Sequence, residues 1–116
     1  MRFKLIVALV EDTRVDNVLK AARDSGATGA TVITSGRGEG LRPQKTFFGL
    51  DLSSQRDMVL LVVEEHLSRE IMERIAEVGG FETEPGSGIT FQIDIEDAIG
   101  LRSQIEQLSK KIEGQI

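Results

Sequence analysis

Two short glycine clusters are the residues here whose types and spacing best suit binding: Gly36-Arg37-Gly38-Glu39-Gly40 and Pro85-Gly86-Ser87-Gly88. Closely spaced glycines let successive backbone N–H groups converge on an anion, because no Cβ blocks the approach. Neither cluster matches a nucleotide fingerprint. The first lacks the third glycine of the dinucleotide motif, and neither carries the Lys-Ser/Thr pair of a P-loop. Taken alone, each reads as a set of turn glycines.

Two acidic groupings are weaker candidates. Glu64-Glu65-His66 with Glu70 could bring His66 and Glu70 to one helix face as metal ligands. The plainer reading is a strand-to-helix junction whose acids favour the helix N-terminus. Asp94 and Glu96 share one face of a strand, at a spacing a general acid/base pair could use. No nucleophile or cation accompanies them in sequence, so a solvated face or a subunit-contact edge explains them better.

Composition narrows the chemistry further. The 116 residues carry a net charge of −5, with no Cys, Trp or Tyr and one His. Thiol catalysis, disulfides and Cys-ligated metals are excluded, and a single His cannot build a His-rich cage. An acidic total argues against a nucleic-acid binder. No stretch approaches the apolar length of a membrane span, and the run Leu5 to Val10 is too short for a signal-peptide core. The expectation is a cytoplasmic binding domain and not an enzyme.

The elements that would position the glycine clusters repeat. Leu5 to Val10 is a continuous apolar strand, followed by a helix that Thr13 can cap and whose Val15, Val18, Leu19 and Ala22 share a face. Gly26 ends it, and Ala30 to Thr34 is a β-branched strand. Met58 to Val63 begins the second round. Ser68 can cap the next helix, Ile71, Met72, Ile75 and Val78 form its stripe, and Gly79-Gly80 close it. Ile89 to Ile95 alternates apolar and polar residues, as a strand with one wet face does. The fold class is therefore α+β, a ferredoxin-like duplicated βαβ sandwich. Each glycine cluster falls at a corresponding strand end of the two halves.

Two segments stand outside this pattern. Residues 35–57 form a long connection with four glycines and Pro43, and loops of this length are usually functional. Its charges, Arg37, Arg42, Lys45 and Arg56 against Glu39, Asp51 and Asp57, make it slightly basic in an acidic chain, with Phe47-Phe48 at its centre. Beyond the domain at residues 1–100, Leu101, Ile105, Leu108 and Ile112 recur at helical spacing. They predict an added C-terminal amphipathic helix over residues 101–116.

The order of these motifs resembles the PII nitrogen-regulatory signalling family. The likeness runs through Gly26-Ala27-Thr28-Gly29-Ala30-Thr31-Val32, the glycine-rich start of the long loop, Pro85 to Phe91, and Ile95-Glu96-Asp97-Ala98. It implies a homotrimer with adenine nucleotides bound between subunits, and a T-loop (residues 35–57) that docks on a membrane transporter or metabolic enzyme. Thr31, Gly36, Gly38, Val62, Gly86, Ser87, Gly88 and Arg102 would then be nucleotide-binding. Arg37, Arg42, Lys45, Phe47 and Phe48 would meet the partner. No cofactor or metal is implied.

Departures from the family pattern sharpen the expected ligand. The lysine that usually follows the phosphate loop is Ile89, one C-terminal arginine is Gly100, and the T-loop glutamine is Gly40 or has moved to Gln44. A site with fewer cations holds a triphosphate poorly. The resemblance therefore points to AMP, ADP or a cyclic nucleotide in preference to ATP. Without tyrosine, uridylylation of a loop tyrosine is impossible. The competing expectation is a metal-linked trimer like the divalent-cation tolerance proteins, in which Phe47-Phe48 pack at an interface and His66 meets the metal.

Overall fold

The computed structural model describes residues 2–34, 46–47, 50–51 and 56–101, and in it the first apolar run becomes strand β1 (Phe3–Glu11). A 3-10 turn (Asp12–Arg14) leads into α1 (Val15–Asp24), and β2 (Thr31–Thr34) follows. Two-residue strands β3 (Thr46–Phe47) and β4 (Leu50–Asp51) pair with each other inside the long connection, where the sequence predicts only loop. The second half consists of β5 (Arg56–Glu64), α2 (Glu65–Gly79) and β6 (Gly88–Asp94). The main sheet has the order β2-β5-β1-β6 with antiparallel neighbours throughout. Each half is thus a split βαβ unit whose two strands admit one strand of the other half between them. That is the ferredoxin-like α+β arrangement expected from the repeated pattern.

Both helices cover the same face of the sheet. Ile6, Ala8 and Val10 of β1 and Val59, Leu61 and Val63 of β5 meet Val15, Val18 and Ala22 of α1 and Ile71 and Ile75 of α2. Leu19 and Met72, expected in the same stripes, pack at the margin of this core. Two expected caps are not used. Thr13 lies in the 3-10 turn, and no side chain caps α1, because that turn winds directly into the helix. Helix α2 starts at Glu65, whose N–H donates to the Arg2 carbonyl at 2.9 Å. Ser68 therefore sits inside the first turn and donates back to the Glu65 carbonyl at 2.9 Å. Gly80 ends α2 in the left-handed region (φ +69°), and the Phe81 N–H returns to the Ala76 carbonyl at 3.0 Å.

Among the described residues, no helix covers the opposite face of the sheet, yet it is apolar. Register places Leu5, Val7 and Leu9 of β1 beside Val62, Leu60 and Met58 of β5 and beside Ile93, Phe91 and Ile89 of β6. Ile33 of β2 joins them opposite Met58. Among these, Val62 is 41% exposed and Ile33 and Ile93 are each 49% exposed. The wet face expected of β6 is the helix side. Thr90, Gln92 and Asp94 lie on the helix side, at an edge the helices leave partly open, while the apolar residues face outward. Thr90 Oγ1 donates to the Val7 carbonyl at 3.0 Å.

Two polar features mark the sheet ends. Asp57 is buried on the helix side opposite Val10 and Thr34, and one of its carboxyl oxygens has no hydrogen-bond partner among the described residues. At the other end, Lys4 donates to the Asp94 carboxylate across the β1–β6 pair, and its charge lies 3.9 Å from Glu65. The Lys4 hydrogen bond, with its positive charge second, holds the Asp94 carboxyl below the usual range. A depressed folded-state pKa means that this pair favours the fold above the unfolded carboxyl pKa. That contribution fades as pH falls through the lower folded value.

Two outcomes follow from this packing. Replacing the fully enclosed Ile75 by Ala leaves a cavity, and urea unfolding should show a loss of about 2–5 kcal/mol. In an NMR titration Asp94 should ionise below the ordinary aspartate value, and Lys4→Met should return it upward.

Candidate functional site

The second glycine cluster is a cross-braced turn between α2 and β6. The Gly80 carbonyl accepts from the Thr83 N–H (3.2 Å), the Glu84 N–H (2.8 Å) and the buried Ser87 hydroxyl (2.9 Å). The Ser87 N–H in turn donates to the Glu84 carbonyl at 3.1 Å. Both donors of Ser87 are thus engaged within the turn. Gly86 has φ +80° with open space where a Cβ would stand, so conformation alone demands glycine there. Gly88 is required by crowding. A Cβ on it would overlap the Phe81 ring and approach the Leu9 carbonyl oxygen to 2.6 Å.

Two arginines fasten this turn to the rest of the fold. Arg14 donates to the Gly79 carbonyl at 2.7 Å and ion-pairs with Glu84, while its Nε lies 3.8 Å from Glu11. Arg56 is 8% exposed, donates to the Gly86 carbonyl, and lies 3.5 Å from the other Glu11 oxygen. Glu11 thereby links the two guanidinium groups. Sequence reading counts Arg56 only as one charge of the long loop and misses Arg14 altogether. The available signals are the Glu11/Arg14 spacing and a charged Arg56-Asp57 pair opening an otherwise apolar strand.

Of the other expected site residues, Val62 and Thr31 lie away from this turn. Gly88, Val10, Asp57 and Thr34 form one row across the sheet, so the glycine turn sits at the end where residues 35–55 leave and rejoin it. Val62 pairs with Leu5 five residues further along, roughly 17 Å away at about 3.4 Å per residue. It borders a groove of about 350 Å³ with Ile95, Ala98, Ile99, Gly100 and Leu101. Thr31, opposite Leu60, is exposed midway between the two ends. Gly36, Gly38, Arg37, Arg42, Lys45, Phe48 and Arg102 lie outside the described residues. Phe47 is described only as a strand position, and Leu101 is the one described residue of the expected tail helix.

The comparisons with known proteins settle the lineage. The family model for nitrogen regulatory protein P-II matches residues 3–105. The chain belongs to that family. The P-II chain also resembles in fold a solved PII-like signalling protein of Thermus thermophilus, with a TM-score of 0.59 at 20% identity. That match covers 82% of this chain and 88% of the other. No curated protein matches in sequence. Family membership places this P-II chain with regulatory proteins. The metal-linked alternative is not favoured. His66 Nε2 lies 3.4 Å from Glu64, and no three potential metal-ligating side chains cluster among the described residues. Nor, among those residues, is any helix long and apolar enough to cross a membrane.

The two glycines should respond differently to the same substitution. Gly86→Ala meets open space and only the left-handed backbone penalty, about 1–2 kcal/mol. Gly88→Ala forces a side chain against the Leu9 backbone and should cost more, about 3 kcal/mol, with both values read from urea unfolding.

Proposed function

We propose that this P-II chain is a cytoplasmic homotrimeric signalling protein. It takes a small effector of low phosphate charge, such as AMP, ADP or a cyclic nucleotide, between subunits. It regulates a membrane transporter or metabolic enzyme through residues 35–57. The observation that carries the reading is the split of the family-matched site. Gly86 and Gly88 occupy one end of the sheet, whereas Val62 and the segment leading to Arg102 occupy the other. Within one chain these residues are too far apart to hold one nucleotide. Between copies the distance closes.

The helix-free sheet face supports the assembly. Nine apolar positions, Leu5, Leu9, Ile33, Met58, Leu60, Val62, Ile89, Phe91 and Ile93, would remain at least partly against water in an isolated chain, around the buried Val7. A contiguous patch of that kind marks an association surface, and closed rings also protect strand edges. Charge supports the ligand class. The two arginines beside the glycine turn are already engaged by Glu11, Glu84 and backbone carbonyls, and position 89 offers an isoleucine. A triphosphate would meet little uncommitted positive charge from this turn.

Calorimetry against ATP, ADP, AMP and cyclic AMP tests the ligand, and analytical ultracentrifugation tests the assembly. The expected pattern is a trimer that binds a mono- or diphosphate more tightly than ATP. Phe91→Glu should dissociate the trimer and abolish binding together. The absence of binding to every nucleotide at millimolar concentration would remove the nucleotide part of the reading, and a monomeric wild-type protein would remove the inter-subunit part.

A further inference from the structure

We propose that Glu11 and Arg56 form a latch that sets the backbone of the glycine turn, making Arg56 a positioning residue for the effector. The affinity part of this inference rests on the function proposed above, whereas the structural part does not. One prong of the Arg56 guanidinium lies 3.5 Å from Glu11 at the end of β1, and another donates to the Gly86 carbonyl. A planar fork with both prongs occupied fixes the separation of its two partners, which a lysine ammonium cannot do.

The bonded carbonyl occupies a sensitive place. The Gly86 C=O and the Ser87 N–H belong to one planar peptide group. Arg56 holds its oxygen end and the Glu84 carbonyl holds its N–H end at 3.1 Å. Gly86 itself has no side-chain crowding to select its φ of +80°. The latch therefore supplies the constraint that packing does not. The N–H of the exposed Gly86 lies across that φ, on the preceding peptide group. It makes no hydrogen bond among the described residues and is the donor an anionic group would take. Arg14 braces the opposite end of the same turn, at Gly79 and Glu84. The region from Gly79 to Gly86 is thus tethered at both ends by guanidinium groups that share Glu11.

Arg56 is also the residue at which segment 35–55 rejoins the sheet. The latch consequently ties the backbone root of that segment to the glycine turn through one side chain. A change at either end that displaces Arg56 alters the other.

The test compares the wild-type protein with Arg56→Lys, Glu11→Gln and the control Lys20→Gln, whose exposed pair with Asp24 lies on α1 away from the turn. Amide resonances of Gly86, Ser87 and Gly88 are recorded without ligand, and ADP affinity is then measured by calorimetry. Arg56→Lys should shift those resonances and speed Ser87 amide exchange, with a melting temperature near that of wild type. It should weaken ADP binding by about tenfold or more, and Glu11→Gln should do so to a lesser degree. Unshifted resonances at 86–88 in Arg56→Lys would overturn the latch whether or not ADP binds. Shifted resonances in a protein that binds no ADP would uphold the latch and remove only the nucleotide reading. ADP affinity equal to wild type despite shifted resonances would overturn the positioning role.

Discussion

A four-stranded sheet with apolar residues on both faces and helices on only one is the constraint on which the rest of this molecule depends. The helix side is satisfied internally, with Ile6, Leu61, Ile71 and Ile75 fully enclosed. On the other side, Leu60, Phe91 and their neighbours have no layer of their own chain to meet among the described residues. Burial of apolar area contributes about 25 cal/mol per Å², so an uncovered face of this size is a large incentive to associate. A chain that obtains its second layer from copies of itself can then place ligand residues on separate subunits. The divided positions of Gly86 and Val62 fit the inter-subunit site proposed above.

The glycine turn answers a different demand. Backbone N–H groups bind anions well only when they are already oriented, because ordering them at the moment of binding costs conformational entropy. Here the Gly80 carbonyl gathers donors from Thr83, Glu84 and Ser87 of its own turn, and Arg14 and Arg56 fasten the two ends. Orientation is obtained by committing positive charge to Glu11, Glu84 and carbonyl oxygens. The same groups cannot at once neutralise a triphosphate. In the proposed site, preorganisation and charge complementarity would compete for the same arginines, and here those arginines are committed to the turn.

Much of the fold is legible in the sequence because its signals are local. The apolar run at Leu5–Val10, the stripes Val15/Val18/Ala22 and Ile71/Ile75, and the terminating Gly26 and Gly80 each depend on residues a few positions apart. The caps are misread because their satisfaction is not local. Glu65 N–H bonds the Arg2 carbonyl, a partner that exists only after β1 and β5 have paired. The alternation in β6 is legible as a period of two, but period does not say which face is inside. That assignment requires knowing that β6 sits at the sheet edge beside β1. Lys4 as the partner of Asp94, and Arg14 and Arg56 as braces of the glycine turn, span separations in sequence that no motif encodes.

Family resemblance carries further at the glycines than at the charged residues, for a physical reason. A glycine with φ +80° or with a carbonyl 2.6 Å from its missing Cβ is costly to replace, so the backbone path through Gly86 and Gly88 can persist while side chains around it change. Cations at a phosphate site are exchangeable, because charge acts over several ångströms and can be supplied from another position or not at all. Ile89 and Gly100 stand where the family resemblance would place a lysine and an arginine. Arg56 contributes to that backbone path directly: it is bonded to the Gly86 carbonyl and paired with Glu11, so that its charge serves the shape of the turn.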